Sequence, residues 1–254
     1  AHFLSVAKAV PMEKLCAVVM LLMFYLTDRG RHPGNGKNDL RLTSRMLRIA
    51  LPLAFSAYAR SALSTLEHLL VPRGLKSAGF SADRALSGYG TIQGMVMPII
   101  SFPACFLMAL SELMIPELTE VQMRGERAEI SHTVRSLLKK GSGYSLAVAL
   151  AIFIFADRLG IAVYSSPEAG HFLRLLAPLI PIMYTDMLCD GCLKGLGQQM
   201  WNMGINVLDA LLGVLLVWRV LPVYALTGYI CIIYFNECLN FALSMLRLGK
   251  VIRS

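Results

Sequence analysis

Hydrophobic residues fill this chain in long stretches, each interrupted by only a few ionisable residues, and not at the periodic positions of a helix that keeps one face wet. FLRLLAPLIPIMYTDMLCDGCL at 172–193, VLDALLGVLLVW at 207–218 and the run 221–246 leave no continuous polar face. A bilayer core about 30 Å thick takes roughly 20 such residues per crossing. The pattern predicts an all-α, polytopic transmembrane helix bundle of about seven spans, at 3–26, 49–71, 91–114, 141–156, 172–193, 200–220 and 223–246. The first is interrupted by Lys8, Pro11, Glu13 and Lys14. The fourth is short and can run past Asp157 and Arg158 to Tyr164.

Two connectors have their own pattern. DRGRHPGNGKN at 28–38 is rich in Gly, Pro and charge and predicts a flexible linker. The chain then divides into a first helical unit (1–27), a linker (28–45) and a helical bundle (46–254). In 117–140, Leu118, Val121, Ile130, Val134, Leu137 and Leu138 recur at helical spacing against a basic face. That spacing predicts an amphipathic helix lying on the cytoplasmic membrane surface.

Composition agrees with a membrane protein. Hydrophobic residues make up 56% and charged residues 16%, against about 25% charged in soluble domains; the mean hydropathy is +0.59. The net charge of +8 comes from Lys and Arg between the spans, which argues against nucleic acid as a partner. Those residues concentrate in alternate connectors: Arg29–Arg48, Arg124–Lys140, and the tail with Arg247, Lys250 and Arg253. The positive-inside bias puts these and the C-terminus in the cytoplasm. An odd number of spans then starts the chain outside, and an opening on Ala1 reads as a piece of a longer polytopic protein.

Ionisable and polar groups inside the spans are the candidate functional residues, because hydrocarbon makes them costly. Ser56, Arg60, Ser64 and Glu67 form one helical stripe. Arg60 and Glu67 are two turns apart, about 10 Å along the axis, so the stripe faces a water-filled cavity or groups on other helices. The cavity reading gives Arg60 an anionic substrate group; the alternative is a structural ion pair with a neighbouring helix. Asp186, Asp190 and Lys194 follow one line below Pro178 and Pro181, with Asp190–Lys194 expected as a local salt bridge. Asn202, Asn206 and Asp209 share a face, and Asn236, Glu237 and Asn240 cluster. Asp186, Asp209 and Glu237, with Asn206 and Asn240, are the ion-coupling candidates, interhelical hydrogen bonding being the plainer alternative. Cys189 and Cys192 form a CxxC without a second pair and are expected to pack rather than react. His68, His132 and His171 stand apart. The chain carries no G-x-S-x-G, H-E-x-x-H or P-loop motif, so no enzyme, metal or cofactor is expected.

LRLLAPLIPIMYTDMLCDGCLKGLGQQ at 173–199 carries an L-A-P-L-x-P-x-x-Y-x-D helix followed by D-G-x-L-K-G-L-G-Q. With Gly88-Tyr89-Gly90, Pro98, Pro103, Ile115-Pro116-Glu117 and the closing LPVYALTGYICIIYFNECLNFALSMLRLGKVI, it resembles the stage V sporulation protein B-like branch of the multidrug/oligosaccharidyl-lipid/polysaccharide (MOP) flippase superfamily. The resemblance implies two pseudo-symmetric lobes around an alternating cavity, this chain holding the second. It implies flipping of a lipid-linked oligosaccharide or cell-wall precursor across the cell membrane, with membrane lipids and the upstream lobe as partners. A cation-coupled multidrug exporter of the same superfamily is the second expectation, and a non-transporting scaffold of a wall-synthesis complex the third.

Overall fold

Every regular element described is helical. The structure, a computed structural model, describes residues 15–16, 18–27, 40–79 and 81–253, and no strand occurs among them. The first half of the expected first span and the 28–38 linker lie outside the described residues. The chain forms two compact units, Ala1–Ala50 and Leu51–Ser254. The first holds α1 (Val18–Thr27) and the opening turns of α2 (Leu40–Ser77). Helix α2 therefore starts within the stretch expected as linker, and it continues into the second unit.

The second unit goes on with α3 (Ala82–Thr91), a π-helical turn (Ile92–Val96), α4 (Met97–Arg124) and α5 (Arg127–Tyr164). After these come α6 (Pro167–Leu176), a 3-10 turn (Ala177–Leu179), α7 (Ile180–Gly195) and α8 (Gln199–Arg253). Among the described residues, four helical stretches are long and apolar enough to cross a membrane: Leu86–Arg124, Arg127–Tyr164, Pro167–Gly195 and Gln199–Arg253. Helix α2 covers the span expected at 49–71 but stands outside that group, its apolar run diluted by Arg48, Arg60, Glu67 and Arg73.

The 55 residues of α8 would reach about 80 Å if straight, far beyond a bilayer. Ala225, at φ 52° and ψ −136°, folds the helix back on itself. The two halves take the places of the spans expected at 200–220 and 223–246, with the turn three residues beyond Pro222 instead of around it. Pro178 falls in the 3-10 turn and Pro181 in the first turn of α7, where a missing N–H costs least.

The expected surface helix at 117–140 is not formed. Helix α4 runs unbroken to Arg124, Gly125 closes it in the left-handed region (φ 77°), and α5 starts two residues later. The apolar positions read as membrane-facing, Leu118, Val121, Ile130, Val134 and Leu137, are buried in the core instead. Leu118 packs on the end of α7, where Thr119 Oγ1 donates to the Gly195 carbonyl at 2.9 Å. The same continuity makes the expected short fourth span the middle of a 38-residue helix.

Helix α7 is the centre of the unit and packs against α4, α5 and α8. Of the most apolar stretch of Pro167–Gly195, the segment that α7 closes, 61% is buried, against 22–28% in the other three membrane-length segments. Close approach is possible because small residues face each other. A Cβ on Gly191 would stand 1.9 Å from Ser111 Oγ on α4, and one on Gly160 would stand 2.5 Å from the Gly170 backbone nitrogen. Cys189 and Cys192 are free and fully buried among these contacts.

Candidate functional site: a polar cavity between α2, α7 and α8

Three helices bring their polar stripes to one place. Ser56, Arg60, Ser61 and Ser64 from α2 face Asp190 and Lys194 of α7 and Gln199, Asn202, Met203 and Asn206 of α8, around a cavity of about 490 Å³. The i, i+4 periodicity of α2 and the Gly197 turn between α7 and α8 (φ 71°) produce this meeting. Ser56 Oγ lies 3.2 Å from Met203 Sδ while its hydroxyl also reaches the Pro52 and Leu53 carbonyls at 3.0 Å. Asn206 Nδ2 donates to both the carbonyl and the Oδ1 of Asn202 at 2.9 Å, so this pair is held rigidly in the wall.

Arg60 is exposed at the cavity. It makes no ion pair within 4 Å with Glu67 or any other described carboxylate, yet it acts electrostatically on Asp190, Asp209 and Glu237. Asp190 and Lys194, expected as a local salt bridge, likewise do not pair: Asp190 is buried towards Asn202 and Asn206, and Lys194 lies at the exposed rim. Neither residue was among the candidate site residues. The i, i+4 spacing accounted for them locally, and the signal that they line a cavity was the polar stripe on α8 facing them.

Behind the cavity lies a second polar layer. Glu67 Oε2 and Asn236 Nδ2 both border Gly213, 3.2 and 3.0 Å from where a Cβ would sit. Asp209 neighbours Glu67 and Glu237, and Asp186 lies beside Ser244. Asp186, Asp209, Glu237 and Asn240 thus belong to this inner layer and do not line the cavity. The buried oxygens Asp186 Oδ1, Asp190 Oδ1, Asp209 Oδ1, Asn236 Oδ1, Asn240 Oδ1 and Ser244 Oγ have no hydrogen-bond partner among the described residues. Leaving such an oxygen bare costs about 1–3 kcal/mol. Among the described residues no three His, Cys, Asp or Glu side chains converge in a metal-holding group.

The polar line extends from Ser64 through His68, which hydrogen-bonds Tyr89. Tyr89 meets Tyr229 edge-on at 5.6 Å, and Gln93 Nε2 donates to the Tyr229 hydroxyl at 2.7 Å. His132 and His171 lie elsewhere, on α5 and α6.

Known proteins share this chain's pattern over most of its length. The sporulation protein YkvU of Bacillus subtilis (strain 168) is 25% identical over 185 residues, covering 71% of this chain and 42% of that protein. Stage V sporulation protein B of the same organism is 22% identical over 182 residues, covering 70% of this chain and 34% of its own length. The chain thus spans less than half the length of these relatives. No solved structure matches it. The MatE family profile matches residues 77–218, from the end of α2 through the first half of α8 and across the cavity's α7 and α8 walls. With the helical bundle and its relatives, this match establishes that the chain belongs to the MatE family, within the MOP flippase superfamily.

Proposed function

We propose that this chain forms one lobe of a flippase that moves a lipid-linked oligosaccharide or cell-wall precursor across the cell membrane by alternating access. The observation that carries the reading is Arg60: a guanidinium on a polar stripe, without an ion pair among the described residues, facing a cavity lined by serine hydroxyls and asparagine amides together with Asp190 and Lys194. Guanidinium grips phosphate oxygens in bidentate fashion, and hydroxyl and amide groups suit sugar hydroxyls. A lipid-linked sugar offers both, on a pyrophosphate. Ser56, Ser64 and Asn206 contact the sugar in this reading, and Glu67 stands behind them. A second lobe supplies the facing wall, and rocking of the two lobes exchanges the opening.

The inner acids favour a second reading, a cation-coupled drug exporter, in which Asp186, Asp209 and Glu237 carry the coupling charge, supported by Asn206 and Asn240. The two differ in cargo. In liposomes containing the full-length protein, the flippase reading expects movement of fluorescent lipid-linked sugar, part of it kept by Arg60→Lys and lost in Arg60→Ala with unchanged melting. Export of a cationic dye without movement of the lipid-linked sugar would select the exporter. Normal flipping by a folded Arg60→Ala protein would remove Arg60 from the mechanism.

A further inference from the structure

The polar stripe of α2 continues past the cavity. His68 stands one turn beyond Ser64 and is exposed there, its Nε2 3.5 Å from Ser64 Oγ, the outer limit of a hydrogen bond. Three further side chains hold the ring from its other side. Nδ1 is hydrogen-bonded to the Tyr89 hydroxyl, Tyr89 to Tyr229, and the Tyr229 hydroxyl receives the Gln93 Nε2–H at 2.7 Å.

The sequence builds this line from three elements. Gly88 lets α3 approach the second half of α8, since a Cβ there would stand 2.7 Å from Leu226 Cδ1, and Tyr89 follows it. Tyr229 comes one turn after the reversal at Ala225, and the π-helical turn Ile92–Val96 carries Gln93. Exposure rises along the line. Tyr229 is 2% exposed, Gln93 and Tyr89 are half-buried, and His68 is open.

The order of donors follows from the chemistry of the groups. An amide nitrogen only donates, so the Tyr229 oxygen accepts from Gln93 and its one proton goes on to Tyr89. The Tyr89 oxygen accepts that proton's bond, and its own proton goes to His68 Nδ1. A neutral imidazole that accepts at Nδ1 carries its hydrogen on Nε2. The buried end thereby sets the tautomer at the exposed end. A tie between helices is already complete at the Tyr89 bond and leaves unexplained an N–H whose nearest partner among the described residues is Ser64, at 3.5 Å.

We propose that His68 is a cargo-binding residue, its Nε2–H donating to a sugar hydroxyl oxygen of the lipid-linked oligosaccharide. This deepens the flippase reading and rests on it. His68 lies eight residues from Arg60, about 12 Å along the axis, farther than a pyrophosphate held by Arg60 extends, so the sugar is the part that meets it. Tyr89, Tyr229 and Gln93 are positioning residues that fix the donor.

The test is binding to the purified full-length protein of a polyprenyl-pyrophosphate-linked disaccharide, with polyprenyl pyrophosphate alone as the comparison. His68→Asn keeps a polar partner for Tyr89 but loses the donor at the Nε2 position. It should bind the disaccharide three- to tenfold more weakly, about the effect of one uncharged hydrogen bond, and the bare pyrophosphate as tightly as before. His68→Gln carries an amide nitrogen to the Nε2 position and should recover most of the loss. Nitrogen-15 NMR of histidine-labelled protein at about pH 9, where free imidazole is neutral, should show the Nε2–H form of His68, assigned by its absence in His68→Asn. Tyr89→Phe should turn that signal into a mixture of tautomers and weaken disaccharide binding in part. An Nδ1–H form in the wild type, undiminished disaccharide binding by His68→Asn, or an equal loss for both ligands would overturn the proposal. Failure of the wild type to bind either ligand would instead sink the flippase reading, and this assignment with it.

Discussion

Single residues decide how tightly this bundle closes and where its charges go. Gly191 is the sharpest case, since a methyl group there meets Ser111 Oγ at 1.9 Å and Ser111 Cβ at 3.0 Å. Gly191→Ala should therefore lower stability by about 1–3 kcal/mol, read as a drop in melting temperature, and Ser111→Ala in the same protein should recover part of it. No recovery would mean that the backbone, and not the hydroxyl, is the obstacle. The cavity residues were only partly legible in the sequence. Arg60 and its stripe could be read because an arginine in an apolar run has few explanations. Asp190 and Lys194 were hidden because their spacing offered a local salt bridge, and only the asparagines of α8 draw Asp190 away from it. Ser244 left no signal at all: a serine in an apolar helix satisfies itself on its own backbone so often that its bare hydroxyl beside Asp186 is visible only in three dimensions.

Helices were easier to find than their ends. Apolar runs of about 20 residues announce spans, so the stretches at 91–114, 172–193, 200–220 and 223–246 all fall on helices long and apolar enough to cross. The misread segment was 117–140, where amphipathic spacing is shared by a surface helix and by two helix ends packed on a core. Gly125 distinguishes them, because a left-handed glycine closes a helix. The turn in α8 was off by a few residues for a related reason: Pro222 is a visible breaker, whereas Ala225 adopts a positive φ with nothing in its side chain to favour it. An alanine there is strained by roughly 1–3 kcal/mol. Ala225→Gly should accordingly raise the melting temperature, by relief worth about 1 kcal/mol, despite the extra freedom glycine brings to the unfolded chain. A loss of stability would show that neighbouring contacts, not local strain, set the conformation of this turn.

At the scale of the molecule, the basic connectors are expected to set the orientation. With the native cysteines replaced by serine, a cysteine at Glu126, in the exposed α4–α5 turn, should react with a membrane-impermeant maleimide only from the cytoplasmic side. One at Glu168, exposed at the start of α6, should react only from outside. The reverse pattern would invert the assignment and place the basic tail outside. The central position of α7 bears on how such a protein is made. Its span, Pro167–Gly195, has the lowest mean hydropathy of the four, 1.4 against 1.8 to 2.2, and it carries Asp186 and Asp190. Emerging from the ribosome alone, it would be the least willing to leave the translocon for lipid, since each mid-helix carboxylate opposes insertion by about 2.5–3.5 kcal/mol. Helix α8 brings the asparagines that face Asp190, so α7 is expected to wait for it. A glycosylation reporter fused after Gly195 should reveal poor insertion, and extension through α8 should rescue it. The helix that organises the finished bundle would then be the last to settle during synthesis.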